Sequence, residues 1–157
     1  DICLPLNSSV NAYRRLDPHF EAPNQIKASA NNRGAMVRIP TGNERSARIE
    51  VRSVAPDANP YMVNYAIMRL ILEGGGSATA TPGAATRYLP DNIYDAIRLF
   101  GQSPTIRDLL GASVQQKFVD VKHLQADRCP KALGAIVKVP EIQFHHEVTN
   151  QYLWSRF

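Results

Sequence analysis

The stretch from Asn32 to Tyr61 decides the fold: Asn32-Arg33-Gly34, then Val37-Arg38-Ile39-Pro40, then Ala47-Arg48-Ile49-Glu50-Val51-Arg52, then Pro56-Asp57-Ala58-Asn59-Pro60-Tyr61. Side chains alternate along a strand, so Arg48, Glu50 and Arg52 share one face and Ile49 and Val51 the other. The preceding run divides likewise, with Ala35, Val37 and Ile39 opposite Met36 and Arg38. Gly42 and Asn43 supply the reversal between the two runs. This pattern predicts an antiparallel hairpin of residues 35–40 with 45–53, one face apolar and one charged. A solvated surface has the same alternation, and exposed ion pairs contribute little. One carboxylate set among several guanidiniums is more specific: it suits a metal ion beside phosphates or carboxylates, anions that planar guanidinium forks grip bidentately.

Outward from the hairpin, Asn59 is placed to cap a helix and Pro60 to occupy its first position. Val63, Ile67, Leu70 and Ile71 form a stripe, with Met62, Ala66 and Met68 on much of the remainder, so this helix is expected to be largely buried. Glu73-Gly74-Gly75-Gly76-Ser77 stops it; these glycines follow a helix and lack a Gly-Lys-Ser/Thr, which argues against a phosphate loop. Ile93, Ala96, Ile97 and Phe100 predict a helix over Asp91–Phe100, and Ser103-Pro104 starts another that Gly111 ends. Val114, Phe118 and Val121 mark a further helix ending near Pro130, and a last one is expected over Glu141–Ser155. Before the hairpin, Leu16 to Pro23 has prolines around Phe20 and Glu21 and reads as a loop. The fold class is therefore α+β, an antiparallel β-hairpin followed by a mainly helical C-terminal region. Residues 1–58 carry loops and strands with the candidate site, and residues 59–157 the helical packing.

The 157 residues are 44% hydrophobic and 20% charged, which permits one globular domain with a core. No apolar run is long enough to span a membrane, and no secretion signal is legible at Asp1-Ile2-Cys3-Leu4-Pro5. The formal charge of +4 is not gathered into basic patches with interleaved aromatics, so small anions fit better than nucleic acid. Cys3 and Cys129 belong to no pairing motif, which favours a reducing, cytoplasmic setting. His145-His146-Glu147 lacks the one-face spacing of a helical zinc site, and no nucleophile has a recognisable base.

In this order and spacing, Asn-Arg, Arg-Ile-Pro, Arg-Ile-Glu-x-Arg and Asp-x-Asn-Pro-Tyr resemble the C-terminal catalytic region of glutamine synthetases. Val10-Asn11-Ala12-Tyr13-Arg14-Arg15-Leu16 and Phe20-Glu21-Ala22-Pro23 look like that family's Asn-Ser-Tyr-Lys-Arg-Leu and Tyr-Glu-Ala-Pro segments. The resemblance runs from about Pro5 to Gly111. It implies that the hairpin is part of a glutamine synthetase-type catalytic β-barrel. It also implies an ATP-dependent ligase, using Mg2+ or Mn2+, that joins glutamate and ammonia through γ-glutamyl phosphate, and a ring-type homo-oligomer. Residue by residue, it implies Arg15 and Arg52 on glutamate and acyl-phosphate oxygens, Arg33 at the transferring phosphoryl group and Arg38 and Arg48 on ATP phosphates. Arg45 stands near the nucleotide, Glu50 on a divalent metal, and Glu21 in the flap that handles ammonia's proton.

The family's N-terminal domain and most of its metal-binding carboxylates have no counterpart here, so this chain is expected to be a fragment, inactive alone and prone to self-associate. Gly34, Ala12 and Ala28 stand where the family often has larger residues. Smaller groups there would widen a pocket, which keeps open a γ-glutamyl-amine ligase acting on a larger, polyamine-type amine; a separate alternative, of a different class, is a non-catalytic scaffold relative.

Overall fold

The computed structural model describes residues 1–16, 22–73 and 85–133. A one-turn helix α1 (Cys3–Leu6) and a 3-10 helix (Asn11–Leu16) open the chain. Strands β1 (Gln25–Ser29), β2 (Ala35–Arg38) and β3 (Glu50–Val51) follow, then helices α2 (Pro60–Leu72), α3 (Ile93–Gln102), α4 (Pro104–Leu110) and α5 (Ala112–Leu133). The α+β class holds among the described residues. Glu21, the glycine run from Gly74 and the expected helix over Glu141–Ser155 lie outside them.

One apolar cluster joins the start of the chain to the later helices. Leu4, Val10, Tyr13 and Leu16 pack with Ile93, Ile97, Phe100 and Ile106, all at 2% exposure or less. Burial at this level removes roughly 1.5–3 kcal/mol of apolar hydration per large side chain, so this cluster is the main source of cohesion. The sheet has the order β1-β2-β3, and none of its strand residues belongs to that cluster.

Strands β2 and β3 pair antiparallel through Val37 with Val51 and Arg38 with Glu50. The pairing is much shorter than the alternation suggests, because residues 39–49 form a loop. Pro40 has no N–H to give to a ladder. The Asn43 side chain takes the backbone N–H groups of Arg45 (3.1 Å) and Ser46 (3.2 Å) into a local turn instead. Ile39 and Ile49 are consequently exposed rather than on a buried face. On the other edge of β2, β1 runs parallel, with its register shifted between Gln25 and Ala28. The Tyr88 backbone bridges to Gln25 beyond β1.

Helix α2 starts as its sequence dictates: Asn59 Oδ1 accepts from the N–H groups of Tyr61 (2.9 Å) and Met62 (3.3 Å), and Pro60 leads the first turn. It is not largely buried. Val63 and Ala66 are, whereas Tyr61, Met68, Ile71 and Leu72 are more than half exposed. The apolar residues occur almost all round this helix, and the described core covers one side of it.

Helix α3 buries the four residues its spacing selects, Ile93, Ala96, Ile97 and Phe100. Ser103 then ends α3 and caps α4 through a bond from the Ile106 N–H to its hydroxyl (3.2 Å). Gly111, at φ +82°, stops α4 in a conformation that side chains resist. Helix α5 forms where Val114, Phe118 and Val121 mark it. It continues to Leu133 through Pro130. Its inward face carries Gln115, Lys122 and Ala126, while Val114 and Val121 are about half exposed. Gln115 is drawn in because α3 ends beside it. Its Nε2 donates to the carbonyls of Phe100 (2.7 Å), Ser103 (3.0 Å) and, more weakly, Gly101 (3.3 Å) at the junction of α3 and α4, where Phe100 and Ser103 also accept the backbone N–H groups of Ser103 and Arg107. Lys122 extends along the Phe118 ring and donates to Gln125 at 2.7 Å, and burial lowers its pKa despite the opposing charge of Asp57.

Two measurements check this packing. Replacing Gln115 by Ala should cost about 1–3 kcal/mol in urea unfolding, since it removes a buried side-chain donor shared by the carbonyls that join α3 to α4. Gln116→Ala, which removes only an exposed contact to Asp120, should change stability by less than about 0.5 kcal/mol. Burial pushes the Cys3 thiol up to about 12, so in the native protein it should resist alkylation at mildly alkaline pH and react only on unfolding; native labelling would contradict its place in the core.

Candidate functional site

The segment joining β1 to β2 is built from short polar side chains that fold back on the backbone. Ser29 Oγ accepts from the N–H groups of Asn31 (3.3 Å) and Asn32 (3.0 Å), and Asn32 Oδ1 accepts from the Gly34 N–H at 2.8 Å. These bonds turn the chain through Asn31–Arg33 and present it along the charged side of the sheet. An open cleft of about 530 Å³ results, lined by Ala30, Asn31, Asn32, Arg33, Arg38 and Arg52. That volume falls in the range of small-molecule sites. Among the described residues, the lining carries three guanidiniums and no carboxylate. Arg52 Nη1 donates to the Arg33 carbonyl, so the two basic residues from opposite sides of β2 are tied to one another.

Arg38 continues the charge to the rim. Its Nη1 lies 3.3 Å from Glu50 Oε2, and Arg48 Nη2 lies 2.8 Å from Glu50 Oε1. Desolvation acts to raise the Glu50 pKa, but the Arg48 hydrogen bond and the charges of both arginines outweigh it, and the carboxyl stays below its usual range. With about half of each arginine side chain exposed, this triad contributes little to stability. Its consequence is orientation: one carboxylate holds two guanidiniums in fixed relation.

Arg33, Arg38 and Arg52, singled out in the sequence, therefore meet in one cleft, and Glu50 links Arg48 to it through Arg38. Arg15 lies elsewhere on the same support, with its Nη1 on the Val54 carbonyl, two residues beyond Arg52. Arg45 is exposed in the turn of residues 44–46 and is not among the residues lining the cleft. Glu21 is outside the described residues. Ala30 and Asn31 line the cleft without having been singled out; the adjacent Asn31-Asn32 pair after Ser29, a turn-forming composition, is the signal that points to them.

The positions with unusually small residues do not widen this cleft. Ala12 is buried in the core, Ala28 is exposed on β1, and a Cβ on Gly34 would come within 3.0 Å of the Gln25 side chain. The space beside Gly34 is taken by Gln25. For a metal, the described residues contain no cluster of three or more His, Cys, Asp or Glu side chains. Glu50 alone, already engaged by two arginines, does not complete a divalent-cation site, which needs several oxygen ligands. What the arrangement can do by itself is bind and polarise an anion carrying several oxygens, such as a phosphate chain or a carboxylate.

Comparison with known proteins agrees with this geometry. The family description "Glutamine synthetase, catalytic domain" matches residues 1–136, extending the similarity past Gly111 and well into α5. The chain is 34% identical to the glutamine synthetase of Staphylococcus epidermidis, over 80% of this chain and 31% of that protein. It is 33% identical to the glutamine synthetase of Staphylococcus aureus with the same coverage. The chain thus spans about a third of the length of the curated relatives it matches. With the ordered arginine motifs, the cleft they line and this match over most of its length, the chain belongs to the glutamine synthetase family and corresponds to part of its catalytic domain.

Proposed function

We propose that the polypeptide containing this chain joins glutamate and ammonia to form glutamine, at the expense of ATP. The observation that carries the reading is the cleft in which Arg33, Arg38 and Arg52 converge with no carboxylate among its described lining residues. The reaction brings together a triphosphate and a dicarboxylate, and their mutual repulsion must be offset before the γ-carboxylate can approach phosphorus. In the first step a γ-carboxylate oxygen of glutamate bonds to the γ-phosphorus as the β–γ bridging P–O bond breaks, with ADP leaving. In the second, ammonia nitrogen bonds to the acyl carbon, the C–O bond to phosphate breaks, and a proton passes from nitrogen to a base.

In this account Arg52 and Arg15 hold glutamate and acyl-phosphate oxygens, while Arg38 and Arg48, with Arg45 from the adjoining loop, contact the nucleotide phosphates. Arg33 stabilises charge on the phosphoryl group in transit, and Glu21 receives the ammonia-derived proton. A divalent ion would neutralise phosphate charge, and Glu50 would give it one oxygen ligand; the steps above are assigned to side chains of this chain alone.

An amine larger than ammonia has no observation in its favour, since the small residues that suggested it lie away from the cleft. A scaffold role is disfavoured because three like charges gathered at one cleft repel one another, a cost that folding alone does not require. A homo-oligomeric ring and a cytoplasmic location accompany the proposal. In support, Tyr61, Met68, Ile71 and Leu72 expose apolar surface that a neighbouring part of the assembly would cover. No helix among the described residues is long and apolar enough to cross a membrane.

The test is phosphate release from ATP by the complete gene product, with glutamate and a panel of amines. Release should require glutamate and be fastest with ammonia; hydrolysis indifferent to glutamate would refute the reading. The 157-residue chain by itself should release none. Arg33→Ala should lower kcat on the order of a hundred- to a thousandfold while ATP affinity changes little, because its contact strengthens mainly in the transition state. Equal loss of nucleotide affinity would instead make Arg33 a ground-state binding group.

A further inference from the structure

We propose that Asn7, which belongs to none of the motifs above, is a positioning residue that sets the placement of Arg52; the inference rests on the ligase reading for its substrate. The three residues after Arg52 are each fastened to the first sixteen residues of the chain. The Ser53 carbonyl accepts from Asn7 Nδ2 at 2.8 Å, the Val54 carbonyl from Arg15, and the Ala55 N–H donates to the Leu6 carbonyl at 2.9 Å. Arg52 is thus the last residue before a segment held at three consecutive points, and its own guanidinium reaches across to the Arg33 carbonyl.

Of the three fastenings, Asn7 is the one made by a fully buried side chain. Asn7 and Ser53 are both inaccessible to solvent. The Asn7 backbone N–H and side-chain Nδ2 both donate to the Cys3 carbonyl, at 2.8 and 3.3 Å, so α1 fixes the amide before it reaches Ser53. A buried amide is costly unless paired, and Asn7 Oδ1 has no hydrogen-bond partner among the described residues. An apolar residue of similar size would avoid that cost, yet it would allow the strand end to slide, because apolar contacts are not directional. The Asn7 amide instead defines one distance and one direction for the Ser53 carbonyl. Since Arg15 is fastened one residue further on, the same link fixes the spacing between Arg15 and Arg52, the two groups assigned to glutamate.

The experiment is a double-mutant cycle in the complete gene product, with kcat and the KM values for glutamate and ATP measured together with the urea midpoint. Asn7→Leu should raise the glutamate KM about tenfold or more and the ATP KM much less; in an Arg52→Lys background the same change should add less than about twofold. Gln115→Ala, destabilised at a remote buried amide, should leave both KM values unchanged below its unfolding transition. If Asn7→Leu does not fold, Asn7→Ser, which also removes the reach to Ser53, enters the same cycle. Additive effects in the two backgrounds, or loss of stability with an unchanged glutamate KM, would overturn the proposal. Wild-type protein lacking glutamate-dependent phosphate release would refute the ligase reading instead. The cycle would then be read on the affinity of the cleft for inorganic pyrophosphate, where non-additivity supports the link and additivity overturns it.

Discussion

The arrangement depends on burying the first sixteen residues against helices that come about eighty residues later. Tyr13, Leu4 and Leu16 lie in one cluster with Ile93, Ile97 and Phe100. The arginine strands have no comparable core of their own, since β3 is two residues long and the loop before it is exposed. They are held in place because both flanks are attached to this cluster: the chain after Arg52 through Asn7, Leu6 and Arg15, and the chain before β2 through the pairing of β1 with residues 87–89. Three guanidiniums lining one cleft favour moving apart. A stiff, apolar support is what allows them to stay together without a bound anion.

Local chemistry was the part of the fold most legible in the sequence. The caps at Asn59 and Ser103, the stop at Gly111 and the buried face of α3 follow from interactions within a few residues, which a sequence displays directly. The reading fell short on how far the strands pair, how much of α2 is covered and which face of α5 turns inward. The alternation in residues 35–53 is genuine, yet it does not reveal that Pro40 and the Asn43 turn end the ladder early. The stripe on α2 does not say how much covering surface is present. On α5 the carbonyls at the junction of α3 and α4 draw Gln115 inward, a contact made by other helices and invisible in the periodicity of Val114, Phe118 and Val121.

The site divides in the same way. Arg33, Arg38 and Arg52 were recognisable because ordered arginine motifs in short strands exceed what a surface requires, and the fold brings them to one cleft. Arg45 entered through the family resemblance alone, and it lies in the turn of an exposed loop rather than among the residues lining the cleft. Asn7 belongs to no motif that the sequence displays; its bond across forty-six positions to Ser53 is what distinguishes it.

The central claim is that the cleft lined by Arg33, Arg38 and Arg52 is where nucleotide phosphate and glutamate meet. A crystal structure of the complete gene product with a non-hydrolysable ATP analogue and glutamate tests it most directly. The account predicts terminal phosphate and glutamate carboxylate oxygens within hydrogen-bonding distance of these three guanidiniums. Both ligands bound elsewhere, with the cleft holding only solvent, would contradict it.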